Sequence, residues 1–440
     1  MKLSATLSIS CALLLALASR IDAQGNSTIA SEVQGVYAGS ATLYQELHRN
    51  PELSSKETET AARIAAQLRE LGYEVTTGVG GTGVVGVLKN GSGPTVMLRT
   101  ELDALPVTEN TGLAFASTVK AKDATGVEVG VMHACGHDLH MAAAMGTARI
   151  MAGSRGTWKG TLIVIGQPAE ETGAGAKAMI ADGLLTRFPR PDFAIAIHDD
   201  PRIPSGQVGF RSGPVLSNSD HLIVKIFGRG GHGARPEITI DPVVIAARTV
   251  LALQTIVSRE ISPFNPAVIT VGTIHGGTKN NIIPDEVVMQ LSVRSFTTPV
   301  REQLLKSIDR VVKAEAAAAG APRAPTIERI VVAEALINDS ALTKRISGML
   351  VKTLGASRAL EIPAEMVSED FSEFHIAGIP ALQLRIGTVE PAKFAAAQKS
   401  GEQIPALHSS QFWPDFEPSM KTAITAEVLS LRELMPARKN

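Results

Sequence analysis

The sequence predicts an α/β fold: a buried, largely parallel sheet flanked by helices, with a smaller α+β domain inserted into the chain. Three observations predict it. Short apolar runs at "TVMLRTEL", "TLIVIG" and "FAIAI" alternate with helical patterns such as Leu139 to Met151, as βα units around a sheet buried on both faces do. From about Asn218 to Arg329 the order changes to strand, helix, two strands, helix, strand, a two-layer βαββαβ unit. After Arg329 the α/β pattern resumes, so the first domain is discontinuous in sequence. The length of 440 residues exceeds the ~250–300 at which a single core stops growing, in agreement with two domains.

Taken in order, the first element reads as a secretory leader over 1–23. Lys2 precedes the apolar stretch "LSATLSISCALLLALA", and small residues at Ala16, Ala18 and Ala23 offer cleavage after Ala18 or after Ala23. The expectation is an exported protein, periplasmic or secreted, with no later apolar run long enough to span a bilayer. Removal of the leader takes Cys11 with it and leaves Cys135 as the only thiol, unable to form an internal disulfide.

The catalytic domain is expected over 27–217 and again over 330–440, with the insert over 218–329. In "SSKETETAARIAAQLRELG", Ser54 and Glu57 read as a capping box, Ala61, Ile64, Ala65, Leu68 and Leu71 as one apolar face, and Gly72 as a stop. Within the insert, strands are expected at His221 to Phe227, Ala267 to Ile274 and Glu286 to Ser295. Its helices are announced by Asp241-Pro242 and Thr298-Pro299, and its loops by "GRGGHGARP" and "HGGTKNNIIP". A helix from about Ser340 to Leu354, the run "IPALQLRIG" and a closing helix near Ser419 to Leu434 complete the first domain.

Composition narrows the function. With 44% hydrophobic and 19% charged residues the chain is an ordinary globular one, and a net charge of −1 without a basic run gives a phosphate backbone no electrostatic hold. The chemistry concentrates where an open α/β sheet binds ligands, beyond the carboxyl ends of its strands. "VMLRTEL" delivers Asp103, "LIVIGQPA" delivers Glu170 and Glu171, "FAIAI" delivers His198, and "VMHACGHDLH" at 131–140 brings Cys135 and His137 before the Leu139 helix. Thiol, imidazole and carboxylate together suit a borderline-soft dication such as zinc, whereas calcium or magnesium takes oxygens alone.

These segments resemble the aminoacylase-type di-metal amidohydrolases, in the branch of hippurate hydrolases and hydrolases of auxin–amino acid conjugates. The resemblance runs from "HRNPELSSKETETA" through "LRTELDALPV", "MHACGHDLHMAAAMG", "GQPAEETGAGAKAMI", "GRGGHGARP", "GGTKNNIIPD" and "SEDF" to "ALHSSQF", in that family's order. It implies a zinc-peptidase-like mixed sheet and an inserted lid domain that also forms a homodimer. It implies that Cys135, His137, Glu171, His198 and His408 hold two divalent ions per subunit: zinc, manganese, cobalt or nickel. It further implies that Glu170 is the general base, and that His232 and Asn281 approach the substrate, His232 holding the oxyanion.

Around that set, Asp103 is expected to orient a histidine ligand, and Asp138 either to do the same or to cap the helix. Arg294 is a candidate for a substrate carboxylate, while His221 and His275 read as structural. Two positions depart from the family pattern. Glu101 stands where aspartate is usual, and Asp199 follows His198 where an apolar residue is common, which points to an altered substrate preference. The implied reaction is hydrolysis of N-acyl amino acids or related small amides. An exported dipeptidase or carboxypeptidase on the same metals is the rival, and a non-catalytic binding protein is a third reading against which Glu170 argues.

Overall fold

Eight strands form the large sheet, in the order Glu74–Val79, Gly83–Asn90, Gly160–Gln167, Thr95–Glu101, Phe193–Pro204, Ala381–Val389, Val208–Phe210, Ala359–Glu361. The computed structural model describes residues 28–437, so the expected leader over 1–23 lies outside them. The middle four strands run parallel. They are the ones read from apolar runs, and Ala381–Val389 is buried at every position, as a sheet covered on both faces requires. Antiparallel pairing enters on both sides, through Gly83–Asn90 on Gly160–Gln167 and Val208–Phe210 on Ala381–Val389, which makes the sheet mixed.

The described residues fall into two units. One comprises the chain up to Ser212, Asn338–Ile362 and everything from Phe374; the other comprises Gly213–Ile337 with Pro363–Glu373. The insert is thus longer than 218–329. The expected end at 329 falls inside the strand Thr326–Ala333, whose second half continues the same ladder.

In the first unit, the helix His137–Gly153 is buried over most of its length and packs against Phe416–Leu434, with Leu139, Ala142, Met145, Ile424 and Leu431 in one core. Glu427 enters this core. Burial pushes its carboxyl up to about 8, more than the hydrogen bond from Thr147 Oγ1 at 2.6 Å lowers it, so it sits there as a neutral acid. The helix Thr58–Glu70 forms as expected, with Thr60, Ala61, Ile64, Ala65 and Leu68 buried. Its capping box does not. The amides of Glu59 and Thr60 are instead capped by the Glu52 carboxylate, at 3.2 and 2.8 Å, which leaves Ser54 and Glu57 for other partners.

The second unit is a four-stranded antiparallel sheet in the order Ala267–His275, Glu286–Ser295, Ser219–Phe227, Thr326–Ala333, with the helices Pro242–Thr255 and Thr298–Ala318 packed on it. Glu286–Ser295 alternates buried and half-buried residues, the signature of a sheet covered on one face. Asp241 caps its helix through the Val243 amide at 2.9 Å, with Pro242 in the first turn. With its π-turn continuation this helix, Pro242–Glu260, is long and apolar enough by composition to cross a membrane, contrary to the expectation for the chain beyond its leader. Ile245, Ala246, Leu253 and Ile256 are buried in the unit's core, which covers 33% of that window.

Candidate metal centre

The centre is built from four loops and one strand of the first unit. Gly136, at φ +75°, turns the chain between Cys135 and the helix that starts at His137. Glu170 and Glu171 leave the strand Gly160–Gln167 through Ala169, whose φ of +49° is uncommon for a residue with a side chain, and His408 carries a φ of +67°. Such backbones persist where the surroundings over-determine them. Here the surroundings are identifiable: the Ala169 amide donates to Glu57 at 2.8 Å, and the His408 amide to the Ala134 carbonyl at 2.8 Å. Glu57, read as a cap, therefore anchors the turn that presents the two glutamates, and its other oxygen accepts from Thr82 Oγ1.

The predicted ligands converge. Cys135 Sγ lies 3.6 Å from His198 Nε2 and 3.3 Å from His408 Nε2, and His408 Nε2 lies 3.6 Å from Glu171 Oε2. His137 Nε2 is 3.8 Å from Glu170 Oε2 and 3.9 Å from Glu171 Oε1. Three groups of donor atoms, Cys135–His137–His198, Cys135–Glu171–His408 and His137–Glu170–Glu171, each lie within 4.8 Å of one another. Cys135 belongs to two of them, as does His137.

These residues fit a pair of dications. His137 Nε2 is buried with no hydrogen-bond partner among the described residues, although it faces two carboxylates. Burial alone would lower the pKa of His137, but Asp103, Glu101 and Glu171 outweigh it and hold the ring at about 10. Burial, and then the charges of Glu171, Asp199 and Glu170, push the Cys135 thiol well above its ordinary value. A pocket that retains protons this strongly has an excess of negative charge for a cation to balance.

Asp103 is fully buried. Its carbonyl accepts from His137 Nδ1 at 2.8 Å, and its carboxylate accepts from Ser54 Oγ at 2.6 Å and the Glu171 amide at 3.0 Å. It therefore positions His137 and Glu171 and does not itself reach substrate. Asp138 fulfils neither expected role: the helix cap is Gly136, and Asp138 Oδ2 pairs with His48 Nδ1 at 2.6 Å. His48 bonds Glu109 at 3.1 Å through its other nitrogen, and these two carboxylates outweigh burial to hold its pKa at about 10. His140, counted in the motif without a role, bridges Glu101 at 3.0 Å and the Asp199 amide at 2.9 Å. Its position three residues after His137, on the same helical face, is the signal that could have placed it beside the centre.

In the second unit, His232 and Asn281 sit on a two-stranded ribbon, Gly231–His232 against Ile282–Ile283, with the Gly233 amide bonded to the Asn281 carbonyl at 2.8 Å. Both side chains are exposed. Arg294 is half-buried and donates to the Met366 carbonyl at 2.8 Å, so part of its guanidinium is committed within the unit. His221 lies in the ladder of Ser219–Phe227 and His275 at the end of an edge strand.

The sequence model for peptidase family M20/M25/M40 matches residues 97–408, a span that opens on the Asp103 strand and closes on His408. The chain belongs to peptidase family M20/M25/M40. As a member of M20/M25/M40 it is a metal-dependent amide or peptide hydrolase, and the clustered donors of its first unit suit bound metal ions. It is 36% identical to thermostable carboxypeptidase 2 of Saccharolobus solfataricus, over 89% of this chain and 94% of that protein. It is also 36% identical to the hippurate hydrolase of Campylobacter jejuni, over 76% of this chain and 84% of that protein. Among solved structures it is similar to the Bacillus subtilis YXEP protein, described as a dinuclear metal-binding peptidase from the M20 family. The TM-score is 0.74 at 28% identity, covering 91% of this chain and 99% of that one.

Proposed function

We propose that this M20/M25/M40 enzyme hydrolyses the amide bond of N-acyl amino acids or related small amides, with Cys135, His137, Glu171, His198 and His408 as its metal ligands. One observation carries the reading: five donors from distant stretches converge, with Glu170 among them at 3.8 Å from a ligand nitrogen. Two bound dications supply what water and a carboxamide lack at neutral pH, a lowered water pKa and a polarised carbonyl. The Glu170 carboxylate takes the proton from the attacking water and returns it to the departing amine, which otherwise leaves as a poor anion.

His232 is suited to the developing negative oxygen. Its Nδ1 accepts the Ala234 amide at 3.0 Å, which puts the ring proton on Nε2 as a donor. The carboxypeptidase relative supports a second reading, cleavage of short peptides. Hippurate hydrolase and carboxypeptidase share one demand: the amine that leaves is an amino acid with a free carboxylate.

The test compares benzoyl- and acetyl-amino acids, their C-terminal amides and dipeptides on protein loaded with zinc, manganese, cobalt or nickel. The expected ranking places acyl-amino acids first and their amidated forms at least ~10-fold lower in kcat/KM, the loss of one charge-assisted contact. Dipeptides ranking first would replace the acyl-amino-acid reading with the peptidase one.

The second unit also carries a surface suited to a homodimer. Val243, Val244 and Leu251 are exposed on the helix Pro242–Thr255, and Ile274 is exposed on Ala267–His275, which ends its sheet with an unpaired edge. A second copy of this chain covers both. Wild type is expected to sediment as a dimer and Leu251→Glu as a monomer; a monomeric wild type would exclude this.

A further inference from the structure

Asp199 was expected to alter substrate preference, and its position does not support that. The carboxylate is fully buried on the Nδ1 side of His198, opposite the Nε2 that faces Cys135, where no substrate anion can meet it. Its Oδ1 lies 3.1 Å from His198 Nδ1 and 3.4 Å from His140 Nε2, and neither oxygen accepts a hydrogen bond of good geometry from a described residue. Its Oδ2 is pressed against the turn that carries the ligands: a Cβ on Gly136 would come within 1.9 Å of it. Behind it, the Asp199 amide donates to His140 Nε2, which leaves the His140 proton on Nδ1 for Glu101, and Glu101 is itself ion-paired with the buried Arg99.

Arg99 already serves Glu101, and the Asp199 amide occupies His140 Nε2. What the Asp199 carboxylate faces is the Nδ1 side of the His198 ring, opposite the centre. We infer that Asp199 is a positioning residue for His198, rigidly backed by His140 and Glu101, that strengthens cation retention. Its carbonyl, 2.8 Å from Nδ1, fixes the His198 tautomer so that Nε2 is bare toward the centre, and its carboxylate beside the same nitrogen makes the ring more basic. A residue that only filled space at this position would not have this effect. The inference rests on His198 being a ligand.

The experiment uses the purified full-length enzyme stripped with chelator and titrated with zinc or cobalt against a chromogenic competitor. Asp199→Asn keeps the volume and removes the charge; Asp199→Val serves if the amide misfolds. The expected variant binds the same number of ions as wild type, one of them ~10–100-fold more weakly. Its cobalt absorption bands shift. Unchanged affinity and an unchanged cobalt spectrum would overturn the inference. His198→Ala separates the two levels of failure. If it loses an ion while Asp199→Asn behaves as wild type, only the role of Asp199 falls; if it keeps both ions, the ligand assignment falls and takes this role with it.

Discussion

Glu170→Gln is expected to keep both cations and to lose ~10²–10⁴-fold or more in kcat, the range over which a positioned acid–base group acts. The substitution changes the shape of the side chain very little and removes only its capacity to accept a proton. Glu170 also falls in one of the donor groups, with His137 and Glu171, so the measurement has a sharp rival. If Glu170 were a ligand and Glu171 the base, Glu170→Gln would lose metal and Glu171→Gln would keep it. The geometry favours the first assignment, because Glu171 Oε2 approaches His408 Nε2 while its Oε1 approaches His137 Nε2, which ties Glu171 to donors from two groups. Elemental analysis of each variant beside its rate of amide hydrolysis decides between them.

Cys135→Ala is expected to be the most damaging single change to metal content. Cys135 contributes to the group with His137 and His198 and to the group with Glu171 and His408, so its loss weakens both positions at once. Metal content should fall below that of any single histidine variant after the same desalting; a content equal to wild type would remove Cys135 from the ligand set. The same thiol predicts how binding responds to pH. Both Cys135 and His137 hold protons in the metal-free protein at neutral pH, their pKa values being raised, and both must release them to ligate. Apparent cation affinity therefore rises with pH from 6 to 8 in chelator competition, its logarithm by up to about two per pH unit if each gives up one proton.

The sequence disclosed those parts of the fold whose stability is local or periodic. The four parallel strands are continuous apolar runs, and the two helices of the insert carry proline in their first turn, one of them behind a capping aspartate, signals that need no tertiary partner. The strands Val208–Phe210 and Ala359–Glu361 are three residues each, too short for a period, and become strands only because the sheet edge completes their hydrogen bonds. Ser54 and Glu57 show why a correct pattern can have the wrong outcome. Their spacing is that of a capping box, but Asp103, Ala169 and Thr82, brought in by folding, are the partners that win. The converging donors were legible because thiol, imidazole and carboxylate cluster at strand ends. The roles of His140, Glu101 and Asp199 were not, since each is defined by partners on other elements, 39 and 59 residues apart from His140 in sequence.

His408 stands 210 residues after His198 and 273 after Cys135, and the whole second unit lies between His198 and His408 in the chain. During synthesis the second unit must therefore be made before His408 can join the other donors. The donor group of Cys135, Glu171 and His408 closes only when the chain returns from the second unit to the first.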